Sequence, residues 1–141
     1  MKCLVIYDSV TGNTKKIADA IGNTINCKVV KIDLFTSDKT YDLIFVGTPV
    51  HGAYPTKKVR KALERINCNC ALFCTYGAPF FGYLTAKKCL RKMESLAKGK
   101  VLETFACKGM HHLLHLSKGH PNKEDLTKAR KFAKKAAKKT F

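Results

Sequence analysis

Ser9-Val10-Thr11-Gly12-Asn13-Thr14 gathers three hydroxyl side chains, one amide and one glycine into six consecutive positions. Hydroxyls and amides donate hydrogen bonds to anions, and a glycine lets the backbone turn its own N–H groups toward the same point. Where such a run opens a helix, the orphan N–H groups of the first turn and the helix dipole strengthen the attraction. The run holds no lysine, unlike the G-x-x-x-x-G-K-[S/T] loop that cradles nucleoside triphosphates. It therefore suits a single terminal phosphate. Capping the helix would need only one such residue, and this run exceeds that need.

Two other groups of residues invite a chemical reading. Cys107, His111, His112, His115 and His120 form the densest set of possible metal ligands, and His111 and His115 would share one face of a helix. No carboxylate accompanies them and Cys107 falls at the end of an apolar run, so no metal site is assigned. Cys68-Asn69-Cys70 with Cys74 suggests redox chemistry, but Cys70 and Cys74 lie on the same side of a strand by period two. No activating neighbour accompanies them, and core packing is the expectation. The chain has seven cysteines, an odd number, mostly inside apolar runs. They are expected to be free thiols acting as small hydrophobes rather than a disulfide framework.

These residues must be positioned by the rest of the chain. Its 141 residues, 45% of them hydrophobic, suit one domain over 1–141 with a single core. No apolar run approaches the ~20 residues that span a bilayer, and the N-terminal apolar run is too short for a secretory signal. A cytoplasmic protein is expected. The 27 Lys and Arg against 10 Asp and Glu give a net charge of +17, a long-range field that favours acidic partners, anionic ligands or nucleic acid.

Apolar runs alternate with helix-like segments. Strands are expected at 2–7, 28–33, 42–47, 70–75 and 101–107, and helices at 14–25, 56–66, 85–97 and 122–138. The run at 42–47 is almost wholly apolar, as a central strand covered on both faces requires. The run at 28–33 alternates, as an outer strand would. Strands separated by helices imply right-handed βαβ units, hence a three-layer α/β/α fold whose five-stranded parallel sheet has the order 2-1-3-4-5. In such a sheet ligands bind at the carboxyl ends of the strands, where the winding reverses. Here that point lies after Tyr7 and Gly47, beside the segment 75–82.

Tyr7-Asp8-Ser9-Val10-Thr11-Gly12-Asn13-Thr14, followed by Lys16-Ile17-Ala18, resembles the phosphate-binding signature of flavodoxins, T/S-x-T-G-N-T after the first strand. The strand layout extends the resemblance over essentially the whole chain. It implies a non-covalent FMN held at Ser9, Val10, Thr11, Gly12, Asn13 and Thr14, and low-potential electron transfer. It also implies two loops that sandwich the flavin ring. One contains Pro49, Val50, His51, Gly52 and Tyr54; the other contains Thr75, Tyr76, Gly77, Phe81 and Gly82. Both are rich in Gly and Pro and carry aromatic groups, which suits a flat ring. His51 or Tyr54 would cover one face of it, and Tyr76, Phe80 or Phe81 the other.

The chain departs from the small acidic flavodoxins in lacking tryptophan and in being strongly basic. A basic surround favours the anionic reduced flavin and raises that potential. The reading implied is an electron carrier between redox proteins, with acidic partners. The alternatives are an FMN-dependent reductase of a quinone or other small acceptor, and a basic binding module that has lost FMN. As the alternative to a metal site, the 111–115 stretch is a loop over the flavin or a partner contact; in the reductase reading it would line a substrate pocket with His51 and Tyr54 and supply protons. The lysines of 122–138 form a solvated helix face with no recognised nucleic-acid module and no interleaved aromatics, so docking to an acidic redox protein explains them more economically.

Overall fold

The computed structural model describes residues 1–38, 40–77, 81–109 and 119–140. Phe80 and the histidines 111, 112 and 115 lie outside the described residues. β1 (Cys3–Tyr7), β2 (Lys28–Lys31), β3 (Leu43–Pro49), β4 (Asn69–Tyr76) and β5 (Val101–Lys108) form one sheet in the order β2-β1-β3-β4-β5. Every neighbouring pair is parallel. The central strand β3 carries Leu43, Ile44, Phe45 and Val46 without exposure, because a parallel sheet covered on both faces has no wet side.

Helices α1 (Asn13–Ile25) and α4 (Lys123–Thr140) supply one layer, and α2 (Lys57–Leu63) and α3 (Gly82–Leu96) the other. Strand alternation divides the core accordingly. Val5, Tyr7, Phe45 and Phe73 pack with Ile17, Ile21 and Phe132, while Leu4, Ile6, Ile44 and Leu72 pack with Val59, Leu63 and Met93. Among the described residues no helix is long and apolar enough to cross a membrane.

Several local features depart from expectation. The alternating run at 28–33 is a strand only to Lys31; Ile32–Leu34 form a single 3-10 turn that drives Ile32 into the core. α3 begins a turn early, at Gly82 rather than Thr85, and the Thr85 hydroxyl donates back to Gly82 O (2.9 Å) inside the first turn. On α4 the inner stripe is built around Phe132, which the lysine-rich sequence obscures. Its ring meets Phe45 and Phe73 edge-on at 5.7 and 6.3 Å and stacks on Phe105 at 5.4 Å.

The cysteines correct one expectation. Cys3 and Cys27 form a disulfide, with Cα atoms 5.4 Å apart. Each lies one residue before the paired positions Leu4 and Lys28, so the β1–β2 register brings them together. Cys70, Cys74, Cys89 and Cys107 are buried free thiols, and Cys68 is half-buried. Burial pushes the Cys70 and Cys107 thiols up to about 12 and Cys68 to about 11. A hydrogen bond with Cys89, reinforced by burial, holds Cys74 well above its ordinary value. None of these four is poised as a thiolate nucleophile.

Candidate functional site

The carboxyl ends of β1, β3 and β4 deliver three loops to one edge of the molecule. β1 ends at Tyr7, and the N–H of Asp8 donates to Gly47 O (3.0 Å), continuing the strand pairing into the first loop. There Ser9 Oγ accepts from the N–H of Gly12 (3.1 Å), and Thr11 Oγ1 accepts from Asn13 Nδ2 (3.2 Å). Gly12 sits at φ 93° as the cap of α1, a left-handed conformation that glycine adopts without steric cost. Gly12 has no side chain with which to cap this helix. Among the described residues the backbone N–H groups of Val10 and Thr11 make no hydrogen bond. Both residues are exposed, Val10 at 72%. Thr14 turns inward, is 1% exposed, and shares a 2.9 Å hydrogen bond with Thr75 Oγ1 at the end of β4.

The loop after β3 is a tight hairpin. His51 and Tyr54 exchange both backbone hydrogen bonds at 2.9 Å, and the two residues between them, Gly52 (φ 55°) and Ala53 (φ 69°), are both left-handed. Two successive positive φ angles define the primed turn that suits a two-residue connection. An alanine there is strained by about 1–2 kcal/mol. His51 and Tyr54 are exposed, Tyr54 at 55%. Pro49 closes β3, and the N–H of Val50 donates to Thr75 O (2.9 Å), fastening this loop to the next strand.

In the loop after β4, Tyr76 and Gly77 are half-buried. Tyr76 leans into the core of the α2–α3 layer and lies against Gly82, where a Cβ would come within 2.5 Å of its ring. Burial raises its phenol above the ordinary tyrosine value. Phe81 is 72% exposed at the head of α3. The structure thus separates the candidate ring partners: Tyr54 and Phe81 face solvent and Tyr76 serves packing. Thr14 and Thr75 hold the loops in register, while Ser9, Val10, Thr11, Gly12 and Asn13 form the polar rim.

A supporting network was not legible from the motif. Thr56 Oγ1 donates to Asp8 Oδ2 (2.7 Å), and the N–H of Thr56 donates to Thr48 Oγ1 (3.1 Å). Asp8, Thr48 and Thr56 so tie the first loop to the start of α2. Beyond β5, the N–H of Gly109 donates to Tyr76 O (2.8 Å). A Cβ on Gly109 would lie 2.6–2.9 Å from the Asn13 side chain, so only glycine lets this segment approach the first loop. Position immediately after a strand was the available signal for Asp8 and Gly109; nothing marked Thr56 beyond its suitability as a helix cap.

Comparison with known proteins accords with this arrangement. Residues 4–115 match the flavodoxin domain. The chain belongs to the flavodoxin domain family. An uncharacterized protein of Methanocaldococcus jannaschii is 35% identical over 147 aligned positions, covering 95% of this chain and 97% of that protein. Among solved structures, oxidised flavodoxin 1 from Bacillus cereus superposes with a TM-score of 0.70 at 22% identity, covering 98% of both chains. A flavoprotein from Lactobacillus acidophilus, determined in complex with FMN, gives a TM-score of 0.63 at 20% identity over 74% of this chain and 92% of its own. The five-stranded order observed here is that of a flavodoxin-like α/β/α fold, and these two structural likenesses extend to its overall arrangement.

His120 has a structural task at the start of α4, after β5. Its Nδ1 shares a 2.6 Å hydrogen bond with Asp125 Oδ2, while the Asn122 and Asp125 backbone N–H groups and side chains cap one another at 2.8 and 2.9 Å. Among the described residues no group of three or more His, Cys, Asp or Glu is placed to hold a metal.

Proposed function

We propose that this protein binds FMN at the three loops and carries electrons between redox partners. The observation that carries the reading is the first loop. Its hydroxyls at Ser9 and Thr11, the Asn13 amide and the N–H groups of Val10 and Thr11, which make no hydrogen bond among the described residues, surround the N-terminus of α1 with donors and no lysine. That donor set fits a phosphate monoester. The Thr14–Thr75 hydrogen bond fixes this rim relative to the β4 loop, and Tyr54 and Phe81 are the exposed aromatics available to a flat ring. A bound flavin would supply the electron chemistry. The chain's own residues would hold the phosphate, orient the ring and leave its edge open.

That openness favours a carrier over a reductase with its own substrate. His51, Tyr54 and Phe81 flank the site from exposed positions, and the Asp8 carboxylate is engaged by Thr56. The net charge of +17 points to acidic redox proteins as partners, and the polar, charged exterior suits a cytoplasmic carrier.

Reconstitution tests the reading. The purified protein is titrated with FMN and with riboflavin, following flavin fluorescence and absorbance. Tight FMN binding with much weaker riboflavin binding is expected, because only FMN has the phosphate. Equal affinities would remove the role of the first loop, and binding of neither would overturn the proposal. Rapid quinone-dependent oxidation of a nicotinamide by the loaded protein would turn the reading to the reductase.

A further inference from the structure

β5 lies at one edge of the sheet, and α4 runs over it. Between them is a groove of about 290 Å³ whose lining includes Phe105 and Phe132, the lysines Lys128, Lys131 and Lys135, and one carboxylate, Glu103. A second hollow, of about 310 Å³, continues along α4 and shares Lys128 and Lys131. The three lysines follow an i, i+3, i+7 spacing, so they project on one flank of the helix and span about 10 Å along its axis. Among the described residues none of the three has an acidic partner; the neighbouring Lys139 is the one held, by Glu103 (3.1 Å) and Leu102 O (3.3 Å). The groove therefore combines an apolar floor with a row of three lysines, and its one carboxylate, Glu103, is taken up by Lys139.

The backbone beside it has its own periodicity. Gly109 donates to Tyr76 O, so it faces β4; alternation turns the N–H and C=O groups of Thr104, Ala106 and Lys108 toward the outer edge. We propose that this groove docks an extended acidic segment of a partner protein. The segment adds as a strand along β5 and sets Asp or Glu side chains against Lys128, Lys131 and Lys135. Alternate side chains of a strand lie about 6–7 Å apart, so two or three of them span the lysine row. Main-chain hydrogen bonds supply affinity in this mode and the lysines supply selectivity. The floor gives little to a nucleic acid: Phe132 is buried and stacked on the half-buried Phe105, so the groove presents no series of exposed aromatic faces for successive bases. This surface is separate from the three-loop site and does not rest on flavin binding.

The test uses the full chain and a short synthetic peptide alternating Glu with Val, with a Lys–Val counterpart and oligothymidine as competitors. Fluorescence anisotropy gives affinity, and amide chemical shifts map the contact. The Glu–Val peptide is expected to bind, to perturb 101–108 and α4, and to displace oligothymidine. Reversing the charges in Lys128→Glu, Lys131→Glu and Lys135→Glu together should weaken it at least about tenfold. Thr104→Pro removes one outward N–H while leaving the β4 ladder intact, and should also weaken it. Far-ultraviolet circular dichroism checks that each variant is folded. No binding of the Glu–Val peptide, tighter binding of oligothymidine, shifts located elsewhere, or a peptide affinity unchanged in both variants would overturn the proposal.

Discussion

The two ends of the sheet are built on different plans. At the amino end, the Cys3–Cys27 disulfide joins β1 to the entry of β2. The Asp38 carboxylate accepts the backbone N–H groups of Asn67 (2.5 Å) and Cys68 (3.2 Å) just before β4, and Asp42 accepts the N–H of Lys2 (2.8 Å). Chain segments distant in sequence are thereby tied to one another. At the carboxyl end, the loops hold left-handed residues at Gly12, Gly52 and Ala53, exposed aromatics at Tyr54 and Phe81, and exposed loop residues at Val10 and Thr11. Both ends are cross-tied, the carboxyl end by Thr14–Thr75 and Asp8–Thr56, but only the carboxyl end adds exposed aromatics and a two-residue left-handed turn, the features that a ligand can exploit.

If that division holds, changes at the two ends should separate binding from stability. The largest effect is expected from the double variant Ser9→Ala, Thr11→Ala. Hydrogen bonds to a charged group contribute about 1.5–3 kcal/mol each. FMN affinity should therefore fall by about a hundredfold or more, with riboflavin affinity nearly unchanged, as read by fluorescence titration. A parallel loss for both flavins would show that these hydroxyls shape the loop instead.

At the other end, Cys3→Ser with Cys27→Ser opens a loop with a sequence separation of 24. The chain-entropy estimate for such a loop is about 3 kcal/mol of stability. Urea denaturation should show that loss while FMN affinity is retained. A fall in affinity comparable to that of the Ser9/Thr11 variant would abolish the division.

Asp38 should have a smaller effect, with a distinctive pH dependence. Its two backbone donors, that of Asn67 foremost, hold the carboxyl below its ordinary value. A depressed folded-state pKa contributes stability that is present above the unfolded value of about 3.9 and is lost as pH falls through the folded value. Asp38→Asn should thus cost about 1 kcal/mol near neutral pH and flatten the stability profile below pH ~4. An unaltered acid limb would sink this assignment.

The smallest effect belongs to the strained turn. Ala53→Gly relieves the left-handed alanine but loosens the unfolded chain, so the net gain should stay below about 1 kcal/mol. A clear destabilisation in thermal melts would mean that the alanine methyl makes a packing contribution outweighing its strain.

Much of this architecture follows from local pattern. The unbroken apolar run of β3 predicts a strand covered on both faces, and the alternation of strands with amphipathic helices predicts the sheet order. Asn122 with Asp125 marks the start of α4. The loop Ser9–Thr14 advertises its donors because they are consecutive, and position after the first strand places them at a helix N-terminus. These features need only short-range spacing, which the chain records directly.

What lies between distant segments had to await the fold. Cys3 and Cys27 became partners through the β1–β2 register, although their equal offsets from paired strand residues were present in the sequence. Asp8 meets Thr56 across 48 positions, and Gly109 makes room for Asn13 only when β5 ends beside α1. Phe132, set in a lysine-rich helix, became a core residue when three other phenylalanine rings converged on it. The sequence by itself determined the elements, their order and the donor-rich loop, because propensity and periodicity act over a few residues. Tertiary structure decided which of those donors face outward, which hydroxyls hold the loops together and which edge exposes its lysines, because these depend on register and packing among segments far apart in the chain.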